Sequence, residues 1–258
     1  MTPASHQTSK KERLDLLLVR LGLAENHGLA RGLIMSGQVL VDGQRQDKAG
    51  TRVPPEAPIR VLAAERPYVG RGGIKLAAAL DRFGLDPRGQ TALDVGASTG
   101  GFTHCLLLRG ARRVYAVDVG RGQLHWRLRQ DPRVVVMERT HIRDLQPPAI
   151  SETVDLATID VSFISLRTVV PKVAAFVRPG GLIVALVKPQ FEVGAARVGR
   201  GGIVRDHTAH QEVLAELTDR VAICGLEVRD IVPSALLGRR GNQEYFALLA
   251  HRLVLAGL

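Results

Sequence analysis

Thiols and aromatic rings are scarce in this sequence: its 258 residues hold two cysteines, one tryptophan, three tyrosines and six phenylalanines, 4% aromatic in all. Two thiols as far apart as Cys105 and Cys224 cannot build a disulfide framework, and their apolar settings predict reduced, buried side chains in a cytoplasmic protein. Few rings leave little capacity for extended base stacking, so Phe163 and Phe191 are expected in the core before any contact with a flipped base. Apolar runs long enough for a membrane span are missing; Pro179–Val187 is bracketed by Arg178 and Lys188 and reads as a buried strand. The opening "MTPASHQTSKKERLD" is too polar for a signal peptide. No residue cluster suggests a metal. Neither G-x-G-x-x-G nor G-x-x-x-x-G-K-[ST] occurs at the glycine-rich stretch, which argues against a dinucleotide or a nucleoside triphosphate there.

Acidic residues are also in deficit. Thirty-five Lys and Arg against 25 Asp and Glu give a net charge of +10, which points to a polyanionic partner, nucleic acid or an anionic membrane surface. With 45% hydrophobic and 23% charged residues the chain is globular, with room for a large domain and a small one. Residues 1–64 read as the small one: "KERLDLLLVRLGL" and "NHGLARGLIMSG" have helical spacing, and "QVLVDGQRQ" alternates about Asp42-Gly43, a hairpin signal. Arg13, Leu14, Asp15, Leu18, Arg20, Gly22, Leu23, Ala30, Leu33, Gly37, "VLVDG" and "IRVL" resemble the small RNA-binding domain shared by a ribosomal protein and many pseudouridine synthases. That resemblance implies a basic face for structured RNA, with Arg13, Arg20 and Arg31 on it. Asn26-His27 stands where the family has Ser-Arg; Asn26 still suits a helix cap. Prolines and glycines then mark a linker over residues 65–69.

From residue 70 to 258, strand and helix signals alternate: "TALDV", a helix from about Gly100, "RVYAVDV", a short helix around Leu124, "VDLATIDV", a helix around Val169, "GLIVALVKP", a long helix from His207, and "EYFALL". This is the pattern of a doubly wound α/β sheet, with ligands expected at the carboxyl ends of its strands. The first strand ends in Asp94-x-Gly96-Ala97-Ser98-Thr99-Gly100-Gly101-Phe102, and the second in Asp118, where a carboxylate suits ribose hydroxyls. S-adenosylmethionine fits this set. It carries no phosphate, and its sulfonium suits a site rich in Asp94, Asp118 and Asp160. The expected cofactor-binding residues are therefore Asp94, Gly96, Ala97, Ser98, Thr99, Gly100, Gly101, Phe102, Asp118 and Asp160.

At the end of "VDLATIDV" stands Asp160-Val161-Ser162-Phe163, not the Asn/Asp-Pro-Pro-aromatic run of amine methylation, and no cysteine is placed to attack a pyrimidine ring. A hydroxyl acceptor remains. A ribose 2′-hydroxyl is a weak acid, so transfer to it requires close placement and proton management. Lys75 before "TALDV", Asp160 near the end of "VDLATIDV", Lys188 near the end of "GLIVALVKP" and Glu244 opening "EYFALL" are the candidates. Burial and a neighbouring Lys75 would favour neutral Lys188, and Asp160 would oppose this. Arg197 and Arg200 in "EVGAARVGRGGIVRD" and Arg239 in "LLGRRGNQ" offer phosphate contacts, as does Arg71.

The Lys, Asp, Lys, Glu order resembles the ribose 2′-O-methyltransferases of the FtsJ type. With "DVGASTGGFT", "DVGRGQL", "DPRVVVMERT", "SFISL", "LVKPQFEVG" and "NQEYF", the whole chain resembles the TlyA family. The resemblance implies a Rossmann-like S-adenosylmethionine-dependent methyltransferase joined to a small α+β RNA-binding domain. Its implied reaction methylates cytidine ribose in bacterial rRNA, with Lys188 central, Asp160 and Lys75 flanking it and Glu244 completing the set. The chain ends soon after the last strand, which favours large-subunit rRNA over the small subunit. The expected partner is rRNA or a ribosomal subunit, met by a monomer. Two alternatives stay open: an RNA-binding assembly factor without catalysis, and a pore-forming hemolysin, a label the family has carried.

Overall fold

The computed structural model describes residues 11–24, 26–62, 67–238 and 240–251, and of Pro148 the backbone alone. The chain forms two compact units, Met1–Arg66 and Pro67–Leu258. In the first, β1 (Glu12–Arg13), α1 (Leu14–Arg20), α2 (His27–Met35), β2 (Val39–Val41), β3 (Gln44–Gln46), β4 (Arg52–Val53) and β5 (Ile59–Val61) follow in order. Leu14, Leu17 and Leu18 of α1 recur at helical spacing and pack with Ala30, Ile34 and Val39 into a small separate core. Asn26 caps α2 by accepting from Leu29 N at 2.9 Å. Asp42 and Gly43 both have positive φ, +51° and +78°, the geometry that a two-residue hairpin between β2 and β3 requires.

The second unit runs α3 (Arg71–Phe83), β6 (Thr91–Val95), α4 (Gly101–Leu108), β7 (Arg113–Val117), α5 (Trp126–Arg129), β8 (Val134–Met137), β9 (Val154–Ile159), α6 (Leu166–Ala174), β10 (Val177–Val187), α7 (Pro189–Glu192), α8 (His207–Ile223), β11 (Leu226–Pro233) and β12 (Tyr245–His251). Tyr68 and Val69, expected in a linker, pack against its core. One seven-stranded sheet has the order β11-β12-β10-β9-β6-β7-β8. Its interior strand β6 is buried throughout: Leu93 and Val95 enter one core with α6 and α8, while Ala92 enters the other with α3 and α4. Covering both faces explains why this strand shows no polar alternation.

The fold is the expected α/β class, with two differences in the sheet. "LEVRDIVP" forms the edge strand β11, although Glu227, Arg229 and Asp230 give it a weak apolar signal. The strand β12 runs antiparallel to both of its neighbours. Its first residue, Tyr245, therefore pairs with Val187, the last residue of β10. Chain reversal thus brings residues before β12 to the same sheet edge as residues after β10.

Candidate active site

The glycine-rich loop after β6 is shaped first by its own packing. Gly96 has φ +87°, and a Cβ there would lie 2.4 Å from the carbonyl oxygen of Asp160. Gly100 has φ +92°, and its Cβ would overlap Leu128 at 2.2 Å. Both positions combine a left-handed backbone with close approach, which only glycine meets without strain. Gly96 N and Ala97 N both donate to Val117 O, fastening the loop over β7. Ser98 and Thr99 remain exposed, whereas Ala97, Gly100, Gly101 and Phe102 are buried.

The two loop acids differ in role. Asp94 has no exposed surface; its oxygens accept from Thr103 Oγ1 at 2.6 Å and Thr158 Oγ1 at 3.0 Å. Burial pushes its carboxyl up to about 6, against the pull of those hydroxyls. Asp94, expected at the cofactor, has both oxygens bonded within the core, where it ties β6 to α4 and β9. Asp118 is half-buried and accepts from Ser98 N at 2.8 Å and Gly120 N at 2.7 Å. Each of its oxygens retains a lone pair for a further donor.

Beside Asp118 opens a cavity of about 360 Å³, lined by Val95, Gly96, Val117, Asp118, Val119, Thr140, His141, Ile142, Arg143, Val161, Ser162, Phe163, Ile164 and Val169. Its size and largely apolar wall with one carboxylate match a site for an adenosine-bearing ligand. Sequence reasoning missed Thr140–Arg143. The signal was present, since they follow the strand "VVVM" and strand carboxyl ends carry ligand loops.

At the same sheet edge the four catalytic candidates form two ion pairs. Lys188 Nζ lies 2.5 Å from Asp160 Oδ1 and donates to Ser162 Oγ at 3.1 Å. Lys75 Nζ lies 2.5 Å from Glu244 Oε2, with side-chain exposures of 11% and 4%. Lys75 thus has its own counter-charge in Glu244. The elements explain the meeting. Lys188 and Glu244 adjoin the paired residues Val187 and Tyr245. Near the start of α3, a Cβ on Gly72 would lie 3.8 Å from Asp160 Oδ2, and Lys75 stands one turn further along. Gly238 leaves room for the Glu244 carboxylate, which a Cβ would approach to 2.4 Å. Glu192 in α7 accepts from Ser165 Oγ at 2.6 Å and Leu166 N at 2.9 Å, locking the segment after Lys188 to the start of α6.

Phe163 departs from the expected core role. It is 91% exposed, has φ +63°, and stands 5.0 Å from the Phe191 ring between centroids. A left-handed backbone at a bulky residue is a genuine outlier, and here it holds an aromatic ring in the open beside Ser162.

Three arginines expected to meet RNA have ion-pair partners within the first unit. Arg13 and Arg31 both pair with Asp15, at 2.9 and 3.2 Å, and Arg20 pairs with Glu12 at 2.9 Å. Asp15 is only 1% exposed, and the hydrogen bond from Arg13 leads in drawing its carboxyl down to about 2. In the second unit Arg197 pairs with Asp206 and Glu212. Arg71 and Arg200 are exposed and have no ion pair among the described residues, and Arg239 lies outside them.

Comparison with known proteins places this geometry. Residues 68–251 match the model of the FtsJ-like methyltransferases, and residues 12–59 match the S4 domain. The chain is 46% identical to the 16S/23S rRNA (cytidine-2′-O)-methyltransferase TlyA of Mycobacterium tuberculosis, covering 93% of this chain and 90% of that one. It is 34% identical to the 23S rRNA (cytidine-2′-O)-methyltransferase TlyA of Campylobacter jejuni, over 69% of each. A solved structure from Streptococcus thermophilus, carrying a hemolysin label, is 42% identical with a TM-score of 0.73, over 93% of this chain and 88% of that one.

Proposed function

The chain belongs to the TlyA family of FtsJ-like methyltransferases, with an S4 domain at residues 12–59, and on that premise we propose that it methylates the 2′-hydroxyl of a cytidine ribose in bacterial rRNA. The observation that carries this reading is the pair of lysine–carboxylate contacts at the carboxyl edge of the sheet, the buried Lys75–Glu244 and the partly buried Lys188–Asp160, the latter joined to the cavity through Ser162. Large-subunit rRNA is the first target to test, supported by the Campylobacter relative named for 23S rRNA alone. Small-subunit rRNA comes second, since the Mycobacterium relative is named for both. Action on ribosomal RNA implies a cytoplasmic site of work.

S-adenosylmethionine supplies an electrophilic methyl group on a sulfonium that leaves as a neutral thioether. Asp118 would hold ribose hydroxyls of that cofactor, Val95, Ile142 and Val161 would flank its base, and Gly96 would shape the wall beside it. As an ammonium, Lys188 has three donor hydrogens, of which Asp160 and Ser162 take two. The third orients the acceptor oxygen. As that oxygen gains a methyl group it becomes strongly acidic, and its proton passes to Asp160 or to water. Lys75–Glu244 keeps the floor of the site rigid, and Phe163 stacks on the acceptor base.

The test is methyl transfer from labelled S-adenosylmethionine to unmodified ribosomal subunits, followed by nucleoside mass spectrometry. Ribose-methylated cytidine made by the natural chain and lost in Lys188→Ala is the expected result. Lys188→Arg keeps a donor but cannot accept a proton near neutrality, so retained activity supports the orienting role and total loss opposes it. Cofactor binding without incorporation would overturn the reading in favour of an RNA-binding assembly factor. For the hemolysin reading, no described helix is long and apolar enough to cross a membrane.

A further inference from the structure

The one tryptophan of the chain lies outside the catalytic set. Trp126 opens α5 and is 50% exposed, an unusual position for the largest apolar side chain. The Arg127 guanidinium carbon lies 5.5 Å from its ring centroid, and the His125 ring stacks at 6.0 Å and 25°. Val119, 65% exposed, adds apolar surface on the preceding loop.

Charge around this ring is unevenly neutralised. Arg129 pairs with Glu138 and Arg133 with Asp131. Arg121 and Arg127 have no carboxylate partner among the described residues. The segment is also held firmly. Glu138 accepts from Gly122 N at 2.8 Å and Gln123 N at 3.1 Å, and His125 N donates to Thr99 O at 3.2 Å. The ring and its arginines are therefore presented from a fixed loop attached to the glycine-rich turn.

An exposed, pre-positioned indole on a segment that also carries two guanidiniums with no carboxylate partner among the described residues fits single-stranded nucleic acid, whose bases offer flat faces and whose phosphates offer charge. We propose that Trp126 stacks an unpaired base of the RNA substrate while Arg121 and Arg127 hold the flanking phosphates, forming a second RNA contact separate from the acceptor nucleotide. This rests on the RNA-methyltransferase reading above, and it adds a contact that the four-residue catalytic set does not require. A base stacked here would fix the direction in which the strand approaches the cavity.

The lone indole makes the contact directly observable. The full chain is titrated with unmodified large-subunit rRNA and with a single-stranded oligoadenylate of roughly twelve nucleotides, following tryptophan emission, with filter binding as an independent affinity. Emission is expected to fall with the same midpoint as filter binding. Trp126→Leu weakens RNA binding about tenfold, Trp126→Phe restores most of it, and Arg127→Ala lowers the salt slope by about one counterion. An unchanged melting temperature in Trp126→Leu excludes a folding defect. RNA binding with unchanged emission and unchanged Trp126→Leu affinity overturns this proposal and leaves the methyltransferase reading standing. Absence of RNA binding by either method overturns both. An emission change with phosphatidylserine vesicles but not with RNA assigns the indole to a membrane surface and overturns it too.

Discussion

Replacing Glu244 by Gln removes one charge from the Lys75–Glu244 pair while keeping the side-chain shape. The two side chains are 11% and 4% exposed and 2.5 Å apart, so the lysine would be left with little water and no counter-charge. Breaking such a pair from one side costs about 3–5 kcal/mol. Lys75 keeps a narrow route to solvent, which places the expected cost near the lower end, about 3 kcal/mol. For a unit of this size that lowers the melting temperature by roughly 6–12 °C, measured by calorimetry on the full chain. The double variant Lys75→Met with Glu244→Leu replaces the pair by apolar side chains of similar volume and is expected to regain most of that loss. Methyl transfer should stay absent in it. If the single variant melts within about 2 °C of the natural chain, the pair is not the buried ionic contact described. If the double variant methylates normally, the pair is structural only.

Three further outcomes follow from the geometry. Asp94 titrates at about 6 in the fold against an ordinary 3.8, so the folded chain binds the extra proton between those values. Its stabilising contribution is fully present below about pH 4 and is lost as pH rises through about 6, roughly 3 kcal/mol in all; urea unfolding of Asp94→Asn across that range should show a flatter profile, and an identical one would refute the assignment. Gly96→Ala forces a Cβ to 2.4 Å from Asp160 O at φ +87°; about 1–3 kcal/mol of strain and loss of S-adenosylmethionine binding by calorimetry are expected. Phe163→Ala should leave the melting temperature unchanged, since the ring is 91% exposed, while raising the KM for RNA about tenfold; a fall in stability with an unchanged KM would return Phe163 to a packing role.

Local chemistry was legible in the sequence where one residue type meets one backbone demand. Asp42-Gly43 gave the hairpin and Asn26 the helix cap, because few other residues serve there. The glycine-rich turn was legible as a turn, but its reason was not. Gly96 and Gly100 clear Asp160 and Leu128, residues distant in sequence, so a ligand-facing reading and a packing reading predict the same letters. The site was legible as a set of four residues and not as two pairs. Which lysine meets which carboxylate depends on the antiparallel course of β12, and strand direction leaves no mark on a short apolar run. The same limit hid Phe163, whose apolar side chain predicts burial unless the local backbone is known.

Charge shows the limit most plainly. A net charge of +10 says that a polyanion will be attracted, yet an arginine contributes to that attraction only if no carboxylate of its own chain already faces it. Arg13 and Arg31 share the buried Asp15, and Arg197 is held between Asp206 and Glu212, so each already faces a carboxylate of its own chain. Arg71, Arg121, Arg127, Arg143 and Arg200 form no ion pair among the described residues. Removing a paired arginine should therefore lower stability and barely change the salt dependence of RNA binding. Removing an unpaired one that contacts phosphate should do the reverse, reducing the slope by about one with no change in melting. Arg31→Ala and Arg127→Ala, measured side by side, separate the two classes; equal salt slopes would mean that ion pairs in the free chain do not decide which arginines meet RNA.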